Sequence, residues 1–265
     1  MSRQLVDSAG RLAGRRCVVT GATGMAGAAA RRFAAEGAEV FVISIDAGEH
    51  AEPGSSAVAD LSDEAATVAA FAAARARLGR LDALFAVAGG SGRRFGDGPL
   101  HDVPLAAWDT TMALNATTTF LATREALRWM VDQPADEDGQ RGSIVLMSSV
   151  TAFDPSPHWF ATHAYAAAKA AVIGLMRTTA SYYADHGIRV NALAPATVDT
   201  PMASRAAGDA ATVDHLERKQ PLAGGLIDPD DVAAAALFLC SRDSRMITGQ
   251  TLTVDAGWSV RGDER

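Results

Sequence analysis

Short apolar runs alternate with longer alanine-rich stretches from one end of the chain to the other. The runs at 16–20, 40–45, 57–60, 83–87, 143–147, 189–193 and 251–254 predict strands. The stretches at 24–36, 61–78, 105–131, 163–185 and 229–241 have helical composition dominated by alanine, the best helix former. Strands alternating with helices predict a parallel sheet of about seven strands, covered on both faces, in one doubly wound α/β domain. No linker divides the chain, so that domain is expected over 15–260, with an N-terminal extension at 1–14 and a tail at 261–265. Segments 89–99, 132–141, 151–162 and 200–226 lack clear periodicity and are expected to be loops. In this architecture the loops at the C-terminal ends of the strands form the site.

Composition narrows the class. Of 265 residues, 48% are hydrophobic and 21% charged, an ordinary globular balance. The net charge of -7 and the shortness of basic runs such as Arg15-Arg16 and Arg93-Arg94 argue against nucleic acid as a partner, which needs clustered cations to displace counterions. Only Cys17 and Cys240 are present, so neither a disulfide framework nor a multi-cysteine metal site is expected, and both read as buried thiols in a reducing compartment. Residues 1–14 lack the apolar core of a signal peptide, and no apolar run reaches membrane-spanning length. The expectation is a soluble, cytoplasmic protein.

The first chemical motif follows the first strand, where Gly21, Gly24 and Gly27 succeed Thr20. This spacing permits a tight turn, a close approach of backbone to a pyrophosphate, and close packing of helix on sheet. The helix N-terminus adds free amides and a dipole favourable to phosphate. Asp46 lies near the expected distance past the turn for a ribose-binding acid, but the usual acid position is closer to Ser44, so a solvated loop aspartate is an equal reading. No Arg or Lys occupies positions 44–48, which favours NAD over NADP.

The second motif is Tyr165 with Lys169, spaced i, i+4 on a predicted helix and so on one face. A tyrosine with its ordinary pKa of about 10 is a poor base, and lowering it by roughly three units takes about 4 kcal/mol of preferential phenolate stabilisation. A neighbouring ammonium and an oxidised nicotinamide supply charge of the right sign. Tyr165 would then exchange a proton with a substrate oxygen while the cofactor exchanges hydride with its carbon. By itself the spacing is common by chance.

The order of motifs from about 15 to 260 resembles the short-chain dehydrogenase/reductase family, which implies a Rossmann-like fold. Residues 20–27, with Gly21, Thr23, Gly24 and Met25, resemble its cofactor turn. Asp60-Leu61 resembles its adenine contact, Asn115 its helix asparagine and Ser149 its catalytic serine, followed by Tyr165, Lys169, the 195–202 segment and Gly249-Gln250. The resemblance implies that Ser149 hydrogen-bonds the substrate oxygen, Tyr165 is acid/base, Lys169 binds the nicotinamide ribose and lowers the tyrosine pKa, and Asn115 holds a proton-relay water. It also implies cofactor contacts from Asp46, Ala88, Gly89, Pro195, Val198 and Thr200, and a homo-oligomer, commonly a tetramer, built partly from the helices near 105–131 and 163–185. The null alternatives are a turn-capping serine and an asparagine that only bonds neighbouring backbone.

Several positions depart from the family pattern. Met25 stands where the usual turn has glycine, and Gly24 comes one place earlier, a spacing like that of the extended branch. Ala86-Val87-Ala88-Gly89 replaces Asn-Asn-Ala-Gly, losing side chains that brace the central strand, and Ala196 replaces the glycine after Pro195. Ser149 lies further before Tyr165 than is usual, implying a short insertion within 151–162. That loop carries Phe153, Pro155, Pro157, His158, Trp159 and Phe160, which either line an apolar substrate pocket or pack within the loop or on another subunit. His158 and His163 lack a metal-ligand pattern, and no metal is expected. The expected activity is NAD(P)-dependent interconversion of a secondary alcohol and a ketone. Alternatives are a dinucleotide-binding regulator without turnover, and an epimerase or dehydratase using the cofactor transiently. The compact C-terminal end, without an added sugar-nucleotide domain, argues against the last.

Overall fold

The computed structural model describes residues 10–46, 54–156, 158–204 and 208–262. Residues 1–9 of the expected extension, 263–265 of the expected tail and Pro157 of the expected pocket loop lie outside the described residues. Seven parallel strands form one sheet: β1 Arg16–Thr20, β2 Glu39–Ser44, β3 Ser56–Val58, β4 Ala83–Ala86, β5 Gly142–Met147, β6 Ile188–Pro195 and β7 Thr251–Val254. Their order is β3-β2-β1-β4-β5-β6-β7, so the winding reverses between β1 and β4. That is the Rossmann-like architecture, and the reversal opens a crevice at the C-terminal strand ends.

Strand side chains alternate between two cores, which is why the central runs are apolar throughout. Val18, Leu84, Ile144 and Leu146 pack with Phe71 and Leu78 of α2 Glu64–Leu78, with Ala122, Ala126 and Met130 of α4 Thr118–Asp132, and with Val172 and Met176 of α5 His163–Tyr183. On the other face Cys17, Val19, Phe85, Val145 and Met147 pack with Ala29 and Phe33 of α1 Gly24–Ala35, and with Val232, Ala236 and Leu237 of the final helix, Pro229–Cys240. Leu12, inside the expected N-terminal extension, is fully buried in this second core.

Two elements differ from expectation. The single helix expected over 105–131 is α3 Leu105–Met112, a wider π turn at Ala113–Thr117, then α4. The π turn places Asn115 at its centre, fully buried. Segment 200–226, expected to be a loop, contains α6 Ala210–Lys219, which makes Pro229–Cys240 α7. Its signal was present: Asp209 caps the helix by accepting from the Thr212 amide, and the buried face recurs at Thr212, His215, Leu216 and Lys219.

Candidate active site

Thr20 ends β1, and its hydroxyl accepts from the amides of Val87 and Ala88, each at 3.0 Å. This ties the glycine turn to the loop after the neighbouring strand β4 through backbone amides, independently of the side chains at 86 and 87. Gly21 and Gly24 have φ of 96° and 53°, and a Cβ on Gly24 would stand 2.8 Å from Thr200 Cγ2. The turn and the β6 exit loop therefore touch at Gly24 and Thr200. Thr23 precedes α1 without a side-chain cap, and the first turn holds no acidic residue. The Ala26 amide donates to the Thr23 carbonyl at 3.2 Å, and the amides before it, at the start of the helix, with the glycine cradle fit a pyrophosphate.

The turn reaches the catalytic candidates through Ala88 and Gly89. A Cβ on Gly21 would lie 3.9 Å from the Ala88 nitrogen, and one on Gly89 would lie 2.7 Å from Asn115 Oδ1 and 3.5 Å from Lys169 Nζ. Lys169 is buried, donates from Nζ to the Met147 carbonyl at 3.0 Å, and accepts at its own carbonyl from the Ser148 hydroxyl at 2.8 Å. These two bonds fasten α5 to the end of β5. Ser149 follows, with its hydroxyl near enough to the Tyr165 phenol to favour the phenolate. Ser149 Oγ also accepts from the Thr151 hydroxyl at 3.0 Å and the Thr151 amide at 3.3 Å, so its own proton is free to point at the phenol or a ligand.

Burial dominates the titration of this cluster. It pushes the Tyr165 phenol up to about 12, against the lowering effect of the nearby Ser149 hydroxyl, and brings the Lys169 ammonium down to about 8. Buried Cys17 and Cys240 are both raised, chiefly by desolvation, which keeps them as inert thiols.

Asn115 is committed through its whole amide. Nδ2 donates to the carbonyls of Gly90 and Thr111, both at 2.9 Å, and Oδ1 accepts from the Gly90 amide at 3.1 Å. The π turn lets the side chain take the Thr111 carbonyl inside its own helix. Both amide hydrogens are used, which leaves only acceptor positions for a water.

The remaining predicted residues are dispersed. Asp60 is exposed and caps the approach to α2, its Oδ1 accepting from the Ser62 amide and hydroxyl at 2.9 and 2.7 Å, while Leu61 is buried in the core. Asp46 is exposed, with its amide donating to Ser44 Oγ at 3.4 Å. Met25 packs on the second core. Pro195 ends β6 and buried Val198 bridges to Ile227.

His158 is exposed, whereas Trp159 stacks on His215 of α6 at 4.6 Å and Phe160 packs against Trp258 at 6.0 Å. These two aromatics dock α6 and the C-terminal segment onto the loop after β5. Sequence reasoning missed Asp97 and Gln220, whose partners lie in distant segments, the bracing role of Thr20 within the turn, and Thr151, which bonds Ser149 two residues away. Gln220, fully buried, accepts from the Thr197 amide at 2.7 Å and donates to its carbonyl at 3.0 Å, holding the β6 exit loop.

A glycine turn at the strand reversal, with a serine after β5 and a tyrosine and lysine on α5 at the same end of the sheet, is the arrangement of a dinucleotide-dependent oxidoreductase. A family model described as Enoyl-(Acyl carrier protein) reductase matches residues 19–259. The chain is 38% identical to momilactone A synthase of Oryza sativa subsp. japonica, over 98% of this chain and 95% of that one. It is 34% identical to glucose 1-dehydrogenase of Gluconobacter oxydans (strain 621H), over 96% and 95%. The ligand-free structure of Thermoplasma acidophilum aldohexose dehydrogenase superposes with a TM-score of 0.84 at 29% identity, over 96% and 97%. The chain belongs to the short-chain dehydrogenase/reductase family and is an NAD(P)-dependent oxidoreductase. Among the described residues no helix is long and apolar enough to cross a membrane.

Proposed function

We propose that the protein interconverts a secondary alcohol and a ketone, with Tyr165 as acid/base. The observation that carries this reading is the Lys169 ammonium 5.5 Å from the centre of the buried Tyr165 ring, with the Ser149 hydroxyl near enough to the phenol to favour the phenolate. NAD(P), held by Gly21, Gly24 and the α1 amides, would supply the hydride acceptor or donor. In the oxidative direction Ser149 hydrogen-bonds the substrate oxygen and the phenolate of Tyr165 takes its hydroxyl proton at Oη; in reduction the phenol gives that proton back. Lys169 favours the phenolate by charge. Asn115 orders Gly90 and a relay water at its acceptor positions.

The absence of Arg and Lys from 44–48 supports NAD over NADP. The substrate is a small molecule entering between Ser149 and the segment 200–226. A homotetramer in the cytoplasm fits the groove of ≈ 340 Å³ between α4 and α5, where Phe120 is exposed beside Leu127, Val131 and Leu175, and the two unpaired thiols. The test is a panel of secondary alcohols and ketones followed at the nicotinamide absorbance, comparing the native protein with Tyr165→Phe. Hydride transfer that disappears in the variant while nucleotide binding persists is expected; equal rates in both would remove Tyr165 from the chemistry.

A further inference from the structure

The helix that carries Tyr165 and Lys169 begins without a local cap. Thr162, its N-cap residue, makes no side-chain bond to the first turn, and that turn contains no acidic residue. The orphan amides are instead taken by Asp97, from the loop after β4. One carboxylate oxygen accepts from the Ala164 amide and the other from the Tyr165 amide, both at 3.0 Å, across 67 and 68 residues of chain. Asp97 is 4% exposed, so its carboxylate is committed to this role rather than to solvent. Beside it the Gly98 carbonyl meets His163 Nδ1 at 2.7 Å.

The same loop holds Asn115 at its other end through the reciprocal bonds at Gly90. Between the two anchors the loop is folded on itself, with the Asp97 amide donating to the Gly92 carbonyl at 3.2 Å. Gly92 is wedged where a Cβ would stand 2.2 Å from Thr111 Oγ1 and 2.9 Å from Asp97 Cβ. Thr111 is in turn the residue whose carbonyl Asn115 bonds.

We infer that Asp97 is a positioning residue, through which the loop at 89–98 locks the Tyr165 backbone to the same frame that holds Asn115. The inference rests on the catalytic reading of Tyr165. A buried carboxylate on two helix amides fixes the first turn of α5 at the residue bearing the phenol, so the distance from Oη to Ser149 is set by Asp97 rather than by the fraying of an uncapped end. The bonds that Asp97 accepts do not involve the glycine turn, which meets this loop at its start, at Val87 and Ala88.

The experiment compares Asp97→Ala and the near-isosteric Asp97→Asn with the native protein, with Asp228→Ala, which removes the local cap of α7 on the opposite face, as the control. Expected for Asp97→Ala are a kcat lower by at least roughly tenfold, nucleotide affinity within about twofold of native, and faster amide exchange confined to the peptide containing Ala164 and Tyr165. Asp97→Asn keeps one acceptor and should fall between, while Asp228→Ala should lose stability and keep native kcat. Native kcat in both Asp97 variants, or unchanged exchange at 164 and 165, overturns the inference. Should the native protein transfer no hydride to any substrate, the catalytic reading of Tyr165 fails, and the positioning role built on it is overturned with it. Native turnover with unaltered Asp97 variants instead sinks the positioning role alone.

Discussion

The Lys169 ammonium sits 5.5 Å from the centre of the Tyr165 ring while donating to the Met147 carbonyl at 3.0 Å. The side chain is thus held under the phenol by a backbone group with no negative charge of its own. Burial then works against the charged forms of both residues, and each can become useful only when a ligand alters the field around it.

Lys169 makes stability depend on pH in a defined window. Its folded value is about 8 and its ordinary value 10.5. Between these the unfolded chain retains a proton that the folded chain has lost, so this residue makes stability rise with pH. Below pH 8 both states are protonated and the full burial penalty is present; above 10.5 it has gone. The stability difference between native protein and Lys169→Met, from urea unfolding at each pH, should therefore move in favour of native by up to about 3 kcal/mol across the window. A flat difference would show that the ammonium is solvated.

Thr20 is 1% exposed and satisfies two amides. Thr20→Val keeps the shape and orphans both, which should cost about 2 kcal/mol or more in urea unfolding and weaken nucleotide binding. Thr20→Ser should retain most of both properties. Equal stability of the valine and serine variants would mean that the hydroxyl is not what braces the loop after β4.

Two glycines in helices should respond with opposite sign. Gly24→Ala forces a side chain into φ of 53° and against Thr200, so nucleotide affinity should drop by roughly tenfold or more, a change of about 1.4 kcal/mol. Gly174 lies inside α5 with open space around its missing Cβ, and Gly174→Ala should stabilise by roughly 0.5–1 kcal/mol without touching nucleotide binding. Fluorescence titration with NADH and thermal unfolding of the two variants check both halves.

Much of the fold and part of the site could be recognised from the chain alone. The inner strands were visible because a central strand of a parallel sheet is buried on both sides and must be apolar along its length, whereas the partly exposed edge strands β3 and β7 were legible from their place in the alternation of strands and helices. The glycine turn and the Tyr165, Lys169 pair were visible because their geometry is local, set by a backbone conformation in one case and by one helical turn in the other. Helix α6 was missed although its buried positions repeat at helical spacing, because its polar composition resembles a loop.

What tertiary structure decided lies between segments. A sequence contains no sign that Asp97 will cap a helix 67 residues away, that Thr20 will take the amides of Val87 and Ala88, or that the helix through Asn115 will widen so that its amide can reach Gly90 and Thr111. Nor does it show that Trp159 will stack on His215. Periodicity and glycine spacing are short-range properties written in neighbouring residues, so the sequence alone determined the sheet, the turn and the dyad. Hydrogen bonds between distant loops exist only once the sheet has brought its strand ends together, and those bonds hold the backbone around Asn115 and Tyr165.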